Sequence, residues 1–482
     1  PQTTSLIRAV ICIFLALFSC TGAWGLTIVS EGTSDYSIVI PDDPIPAEKT
    51  AAEELVLHIE QMSGARLAIV SETAFTGDHG IFLGHTRGLA NLGLQPDWEQ
   101  LGKEGYLLRT VDRHLVIAGG RPRGTLYGVY DLLQEQWGCR WFTLDTNHIP
   151  NTSTLAVPDL DIVKKPVFEL RMLQFIYDNQ WFWDRFDQRF AARLRWNFGH
   201  RSGDNLTYGG EFKILPSLAH NYVYFLPPDK FGETHPEYYA LHEGKRLNHV
   251  LPTHDIELCL SNPGAASAII REVSELLRVS SNVDMVFIGQ SDTSIYCKCD
   301  NCNAVRAKYG GWDSARRVQI PGNLPDRQRP RQKIRVTMWN DFGGFAGLQI
   351  EFINKIARAL QSEFPDVAVG TWAFYSNRRP PRGIKAHENV MIMHAPWTRA
   401  DGKKSRCYCH SIDSGPINDD FANFGAELGA WTRIARKIYV YDYWLSGWYG
   451  QPVNVPTIRR TLRFYRKLGV EGVWLCGTHG IP

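Results

Sequence analysis

The feature that most constrains this chain is an alternation running through its second two thirds. Eight short apolar runs recur there: FELRMLQ (168–174), LRWNF (194–198), ELCLS (257–261), DMVFIGQ (284–290), VAVGTWA (367–373), NVMIMHA (389–395), KIYVYDY (437–443) and EGVWLC (471–476). Amphipathic stretches separate most of them, such as PGAASAIIREVSELL (263–277) and LQIEFINKIARALQSEF (348–364). The runs are nearly continuous in apolar residues, which is the pattern of parallel strands covered on both faces. Eight such strands with helices between them predict an α/β fold, a (β/α)8 TIM-type barrel over residues 165–482. A doubly wound open sheet is the alternative.

Residues 26–160 predict a small α+β accessory domain ahead of the barrel. Strand-like pieces (YSIVI, RLAIV, GIFLG, GYLLRT, HLVIAG) flank two helical stretches, AAEELVLHIEQM and TLYGVYDLLQEQWG. In the first helix Ala52, Leu55, Ile59 and Met62 share one face, and Gly64 supplies a stop. The segment AGGRPRG (118–124) lacks both G-x-G-x-x-G and a Lys-Ser/Thr pair, so it reads as a turn feeding a helix. The Pro-flanked stretch 151–166 is the expected boundary.

Residues 1–25 read as an export signal: Arg8, an apolar run over Ala9–Phe18, and the small-x-small site Ala23-Trp24-Gly25. The expected location is periplasmic or extracellular, with lipoprotein anchoring at Cys20 as the alternative. No stretch elsewhere is long enough to span a membrane. The sequence starts at Pro1 and stops soon after the last strand-like run, so it reads as a fragment at both ends, its barrel truncated at the C-terminus. Net charge is +2 without long runs of one sign, which speaks against a nucleic-acid partner. Fifteen Trp, 19 Tyr and 23 Phe suit a carbohydrate partner, whose C–H faces stack on aromatic rings.

In such barrels chemistry sits at the C-terminal ends of the strands. Hydrolysis of a glycosidic bond needs two carboxyl groups flanking it. Asp292 after the fourth run and Asp442 at the seventh are the catalytic candidates. Candidate substrate contacts are Arg171, Asp178, Asn197, His220, Gln290, Tyr375, Trp397, Tyr443 and Trp444. Plainer roles stay open: Asp292 as a turn cap, Asp442 as a paired core carboxylate, Arg171 as an internal ion-pair partner.

Cys297, Cys299 and Cys302 form C-x-C-x-x-C, a spacing too tight for easy bridging within the loop. Three thiolates on one loop converge on a tetrahedral ion, and Cys407 in RCYCH is a candidate fourth ligand. A structural zinc, a disulfide to Cys407, and free thiols are the three readings. The chemistry itself is expected to need no cofactor.

The stretches AAEELVLHIEQMSGARLAIV and GYLLRTVDRHLVIAGGRPRGTLYGVYDLLQEQWGCRWF resemble the accessory domain that precedes the barrel in family 67 α-glucuronidases and family 20 β-hexosaminidases. HPEYYALHEGKR, ELCLSNP, IGQSDTSIYCKCDNC, RCYCHSI and VYDYW resemble the bacterial family known as domain of unknown function 4838. The resemblance implies a glycoside-hydrolase-type barrel. The chain departs from that family's pattern at Ser291, where Asn is usual, and at Cys476, near which a Glu is frequent. It also lacks the Asp-Glu pair by which hexosaminidases act on an acetamido sugar. The expected function is an exported glycoside hydrolase of a polysaccharide or complex glycan, which the resemblance of the accessory domain implies to be α-glucuronidase-like. A carbohydrate-binding protein without chemistry is the alternative.

Overall fold

The computed structural model describes residues 25–174, 176–177, 180–181, 187–198, 206–216, 220–250, 256–291, 295–309, 343–374, 377–395, 424–442 and 455–476. They fall into two compact units. The first holds 25–166 with 187–196 and 206–211; the second holds the rest.

The first unit is built on β1 (Ser37–Ile40), α1 (Pro46–Ser63), β2 (Ala68–Ser71), β3 (Gly80–Leu83), β4 (Tyr106–Val111), β5 (His114–Gly119), α2 (Gly124–Asp131) and β6 (Asp161–Lys164). Its six-stranded sheet has the order β6-β4-β5-β3-β1-β2. Helix α1 starts with Pro46 in its first turn and ends at Gly64, whose φ of 80° accepts the left-handed cap. Alternate residues divide between the sheet faces: Ile38, Ile81 and Ile117 pack on Leu55, Ile59 and Leu126 of the helices, while Val39, Phe82 and Val116 pack on the other side. The glycine-rich turn feeding α2 answers to backbone crowding, since a Cβ on Gly120 would sit 1.6 Å from the Gly102 carbonyl oxygen.

A short helix from beyond the expected boundary joins this unit. In α3 (Gln188–Arg193), Arg189 and Arg193 lie one turn apart and both bind the buried Glu54 of α1, at 2.5 and 3.0 Å. A buried carboxylate demands such partners. This corrects the strand expected at 194–198: Leu194 donates its N–H back to Phe190, and Arg195 turns out of the helix at φ 57°.

The second unit is organised by a seven-stranded, all-parallel sheet. Its strands are β7 (Leu170–Gln174), β8 (Ile214–Leu215), β9 (Met285–Phe287), β10 (Ala368–Ala373), β11 (Val390–His394), β12 (Lys437–Asp442) and β13 (Gly472–Cys476). Their order is β7-β13-β12-β11-β10-β9-β8, so the first strand in the chain lies beside the last. Helices α4 (Pro263–Arg278), α5 (Asp300–Tyr309), α6 (Gly343–Gln361), α7 (Phe424–Trp431) and α8 (Val455–Lys467) belong to the same unit. Asn262 caps α4, accepting from the Gly264 and Ala265 amides, with Pro263 at the first position.

The sheet is curled. Phe212, next to β8, and Tyr439 of β12 have ring centroids 6.2 Å apart. Strands four places apart in a flat sheet would stand about 19 Å apart. One cluster takes residues from every strand: Leu170, Ile214, Met285, Phe287, Trp372, Met391, Tyr439 and Trp474. Their neighbours Val286, Val369, Val390, Ile392, Val440 and Val473 join a second cluster with α4, α6, α7 and α8. The strands thus have an inner and a helix-facing side, which accounts for their apolar continuity.

Between β7 and β8 the gap is bridged by Asn197. Its N–H donates to Arg171 O at 3.1 Å, and its own carbonyl accepts Phe212 N–H at 2.6 Å. Its side chain adds bonds from Arg171 N–H (2.8 Å) and to Glu169 O (2.7 Å). The expected strand at 257–261 is not in this sheet. Leu258 makes a single antiparallel bridge with Tyr239, and Ile214–Leu215 takes the place beside β9. Among the described residues, no helix is long and apolar enough to cross a membrane.

Candidate functional site

At the C-terminal end of β9 the chain leaves the sheet as Gly289-Gln290-Ser291, and each residue is held by a different side chain. Asn221 Oδ1 accepts the Gly289 N–H at 2.8 Å, while its Nδ2 donates to Phe287 O at 2.7 Å. Gln290, 8% exposed, donates to Phe374 O at 3.0 Å and to Asn377 Oδ1 at 3.1 Å, and accepts from Asn377 Nδ2. Ser291 donates its hydroxyl to Ile256 O at 2.8 Å and its N–H to Glu257 Oε1 at 3.2 Å. Buried polar groups hold position only when paired, and here all three are. Burial, with the Glu257 charge adding to it, pushes the nearby Tyr222 hydroxyl far above its usual range, so it stays a neutral donor, 3.2 Å from Gln349 Oε1.

Of the sequence candidates, Gln290 and His220 are brought together here: the exposed His220 ring meets Gln290 O through Nδ1 at 3.2 Å. Asp292, Asp178, Tyr375, Trp397, Tyr443, Trp444 and Cys407 lie outside the described residues. Asn197 is a bridging residue of the sheet, as above. Arg171 alternates with the inward Leu170 and Met172 and donates from Nη1 to Phe168 O at 2.6 Å, a contact within its own strand entry.

Asp442 lies on the helix-facing side of its strand. It shares its side of β12 with Ile438 and Val440, which face the helices, whereas Tyr439 and Tyr441 belong to the inner cluster. It is fully buried and accepts the hydroxyl of buried Tyr465, on α8, at 2.5 Å. Strand parity points this carboxylate into the helix layer.

The end of β11 has the same orientation. Buried His394 follows Val390 and Ile392 on the helix-facing side; burial, reinforced by the Arg378 guanidinium, pulls its pKa down to about 3. Arg378 is itself paired to buried Glu427 at 2.9 Å, and Trp431 Nε1 donates to its carbonyl at 2.7 Å.

Beside the β9 end lie four thiols: Cys259, Cys297, Cys299 and Cys302, with all sulfurs within 4.8 Å of one another. Cys259 Sγ stands 3.6 Å from Cys299 Sγ and 3.8 Å from Cys302 Sγ. A tetrahedron with metal–sulfur bonds of about 2.3 Å has edges of about 3.8 Å. Leu241 N–H points at Cys297 Sγ (3.3 Å) and Cys302 N–H at Cys299 Sγ (3.5 Å), and Ser261 Oγ lies 3.0 Å from Cys302 Sγ. Amides aimed at sulfur favour thiolate. Hydrogen bonds from Cys297 and Cys302 pull the Cys259 thiol down, while those shared with Cys259 and Cys297 push the Cys302 thiol up. All are free thiols rather than disulfide partners. The donor set fits a four-coordinate, thiolate-preferring ion and leaves no open position.

Cys259, Glu257, Asn221 and Asn377 are what sequence reasoning missed. The signal for Cys259 was its place in ELCLSNP, among the segments quoted for the family resemblance. Glu257, in the same segment, was hidden by being read as strand.

No curated protein matches this sequence. Solved structures that match include a family 115 4-O-methyl-α-glucuronidase with specificity for decorated arabinogalactans (12% identity, TM-score 0.49, covering 94% of this chain and 55% of that one). Another is the Streptomyces plicatus N-acetyl-β-hexosaminidase (12% identity, TM-score 0.44, 95% and 82%). The chain thus spans about half the length of the first of these. Residues 32–132 match the model of the glycosyl hydrolase family 67 N-terminus. Residues 141–478, well over half of the chain, match the model described as a domain of unknown function (DUF4838), and the chain belongs to that family.

Proposed function

We propose that the protein is an exported glycoside hydrolase acting on a polysaccharide or complex glycan, with its active site at the C-terminal ends of a closed (β/α)8 ring. Asn197 stands for the second stave of that ring. The observation that carries the reading is the triple anchoring of Gly289–Ser291, which fixes the backbone immediately before Asp292. A general acid must be presented in one geometry, and a strand end locked by three buried side chains supplies it. Asp292 is the proposed general acid. Asp178, following β7, is the proposed second carboxyl group, because Asp442 is engaged by Tyr465. His220 and Gln290 are proposed as substrate-side contacts. The match to the family 67 N-terminus supports a carbohydrate substrate, and uronic-acid-bearing glycans are the first to try.

A structural zinc on Cys259, Cys297, Cys299 and Cys302 belongs to the same proposal. It would cross-link the segments carrying Cys259 and Cys297–Cys302, and supply no chemistry to the reaction.

The test is product analysis on a glycan panel. Asp292→Asn is expected to lose about three orders of magnitude in turnover with its melting temperature kept; unchanged hydrolysis removes the assignment. The inward-facing carboxylate missing at β12 favours a second reading, a carbohydrate-binding protein without chemistry. Binding in the panel with no released sugar would select it.

A further inference from the structure

We infer that Glu257 is a positioning residue that ties the thiol cluster to the end of β9. Its catalytic consequence rests on the proposed function; the tie itself rests on geometry. One extended segment carries both attachments. Ile256 O and Glu257 Oε1 hold the hydroxyl and amide of Ser291, at 2.8 and 3.2 Å. Two residues on, Cys259 brings its sulfur to Cys299 and Cys302.

The segment between is braced on its other edge. Ala240 N–H donates to Glu257 O at 2.9 Å, and Cys259 N–H to Tyr238 O at 2.8 Å. The returning chain is caught by the same neighbourhood, with Lys298 N–H on Leu241 O at 2.7 Å and Leu241 N–H on Cys297 Sγ. Residues 256–259 therefore hold the chain both at Ser291 and at Cys299 and Cys302. Glu257 is 8% exposed, and a carboxylate is costly to bury. Spending one on a backbone amide gives a charge-assisted, directional bond at the point where the strand must end in a fixed register. Loss of metal at Cys259 would loosen the segment that carries Glu257, and with it Ser291.

The experiment compares full-length wild type with Glu257→Ala, Glu257→Gln and Cys259→Ser. It measures zinc content, amide exchange of the peptide around Ser291, and kcat and KM on the best panel substrate. Glu257→Ala should raise exchange at Ser291 by about tenfold or more and lower kcat by about tenfold or more, with KM within about threefold and zinc retained. Glu257→Gln keeps an acceptor oxygen and should restore protection and most of kcat. Cys259→Ser should lose zinc and also raise exchange at Ser291. Unchanged exchange at Ser291 in a folded Glu257→Ala or in Cys259→Ser overturns the tie. A Glu257→Gln protein that protects Ser291 yet turns over as slowly as Glu257→Ala overturns the positioning role, because the charge would then be what acts. Should wild type cleave nothing in the panel, the proposed function fails, while the exchange and zinc results still decide the tie.

Discussion

Two strand ends of the second unit look equivalent in the sequence, each leading to a carboxylate, and the structure holds the two ends in different ways. At β9, buried Asn221 and Glu257 hold the backbone amides of Gly289 and Ser291, and buried Asn377 holds the side chain of Gln290 between them. At β12, Asp442 sits one place beyond the inward Tyr441, and its carboxylate is spent on Tyr465 in the helix layer. The lesson is one of parity. A carboxylate at a strand end belongs to the mouth only if its place in the two-residue alternation, or a turn after the strand, aims it there.

The comparison breaks first on activity, where the largest difference is expected. Asp292→Asn should cost about three orders of magnitude in turnover, while Asp442→Asn, whose amide oxygen still accepts from Tyr465, should stay within about threefold. Equal losses in the two, measured as kcat on one substrate, would return Asp442 to the chemistry.

Anchoring at β9 is sharpened by stability. Asn221→Ala strips partners from both Gly289 N–H and Phe287 O inside the protein. The expected loss is about 2–4 kcal/mol in denaturant midpoint experiments, with activity falling alongside. Tyr465→Phe at the other end removes one donor from a buried carboxylate; about 1–3 kcal/mol is expected, without a change in KM.

Much of this was legible beforehand. The runs that became β9 to β13 are apolar at nearly every place because two layers cover them, and periodicity reports that directly. LRWNF misled because Leu194, Trp196 and Phe198 alternate as a strand would. What decides that region is Glu54, far upstream, recruiting Arg189 and Arg193 on one helical turn. Ile214–Leu215 is too short to show a period. The thiol cluster was half visible: three cysteines announce a loop site, but the fourth arrives through an isolated bridge at Leu258 that no spacing rule reaches. Glu257 was hidden by the strand reading of its segment, and its partner, a backbone amide, leaves no residue-type signature.

The smallest effect extends the comparison to a third strand end. His394 at β11 points into the helix layer like Asp442, with the Arg378 guanidinium beside it, itself paired to Glu427. Its folded pKa of about 3 lies below the value of 6.5 for a free imidazole. Between those values the unfolded chain binds a proton that the folded protein refuses. Stability is then fully present above about pH 6.5 and declines as pH falls toward 3, by at most about 1.4 kcal/mol per pH unit from this one group. His394→Gln, which cannot titrate, should flatten that part of the stability profile by one proton while leaving the plateau above pH 7 to report only the packing change. If wild type and variant fall in parallel between pH 6.5 and 4, His394 takes up its proton in the folded state. The helix-facing side of the sheet would then be wetter at β11 than at β12.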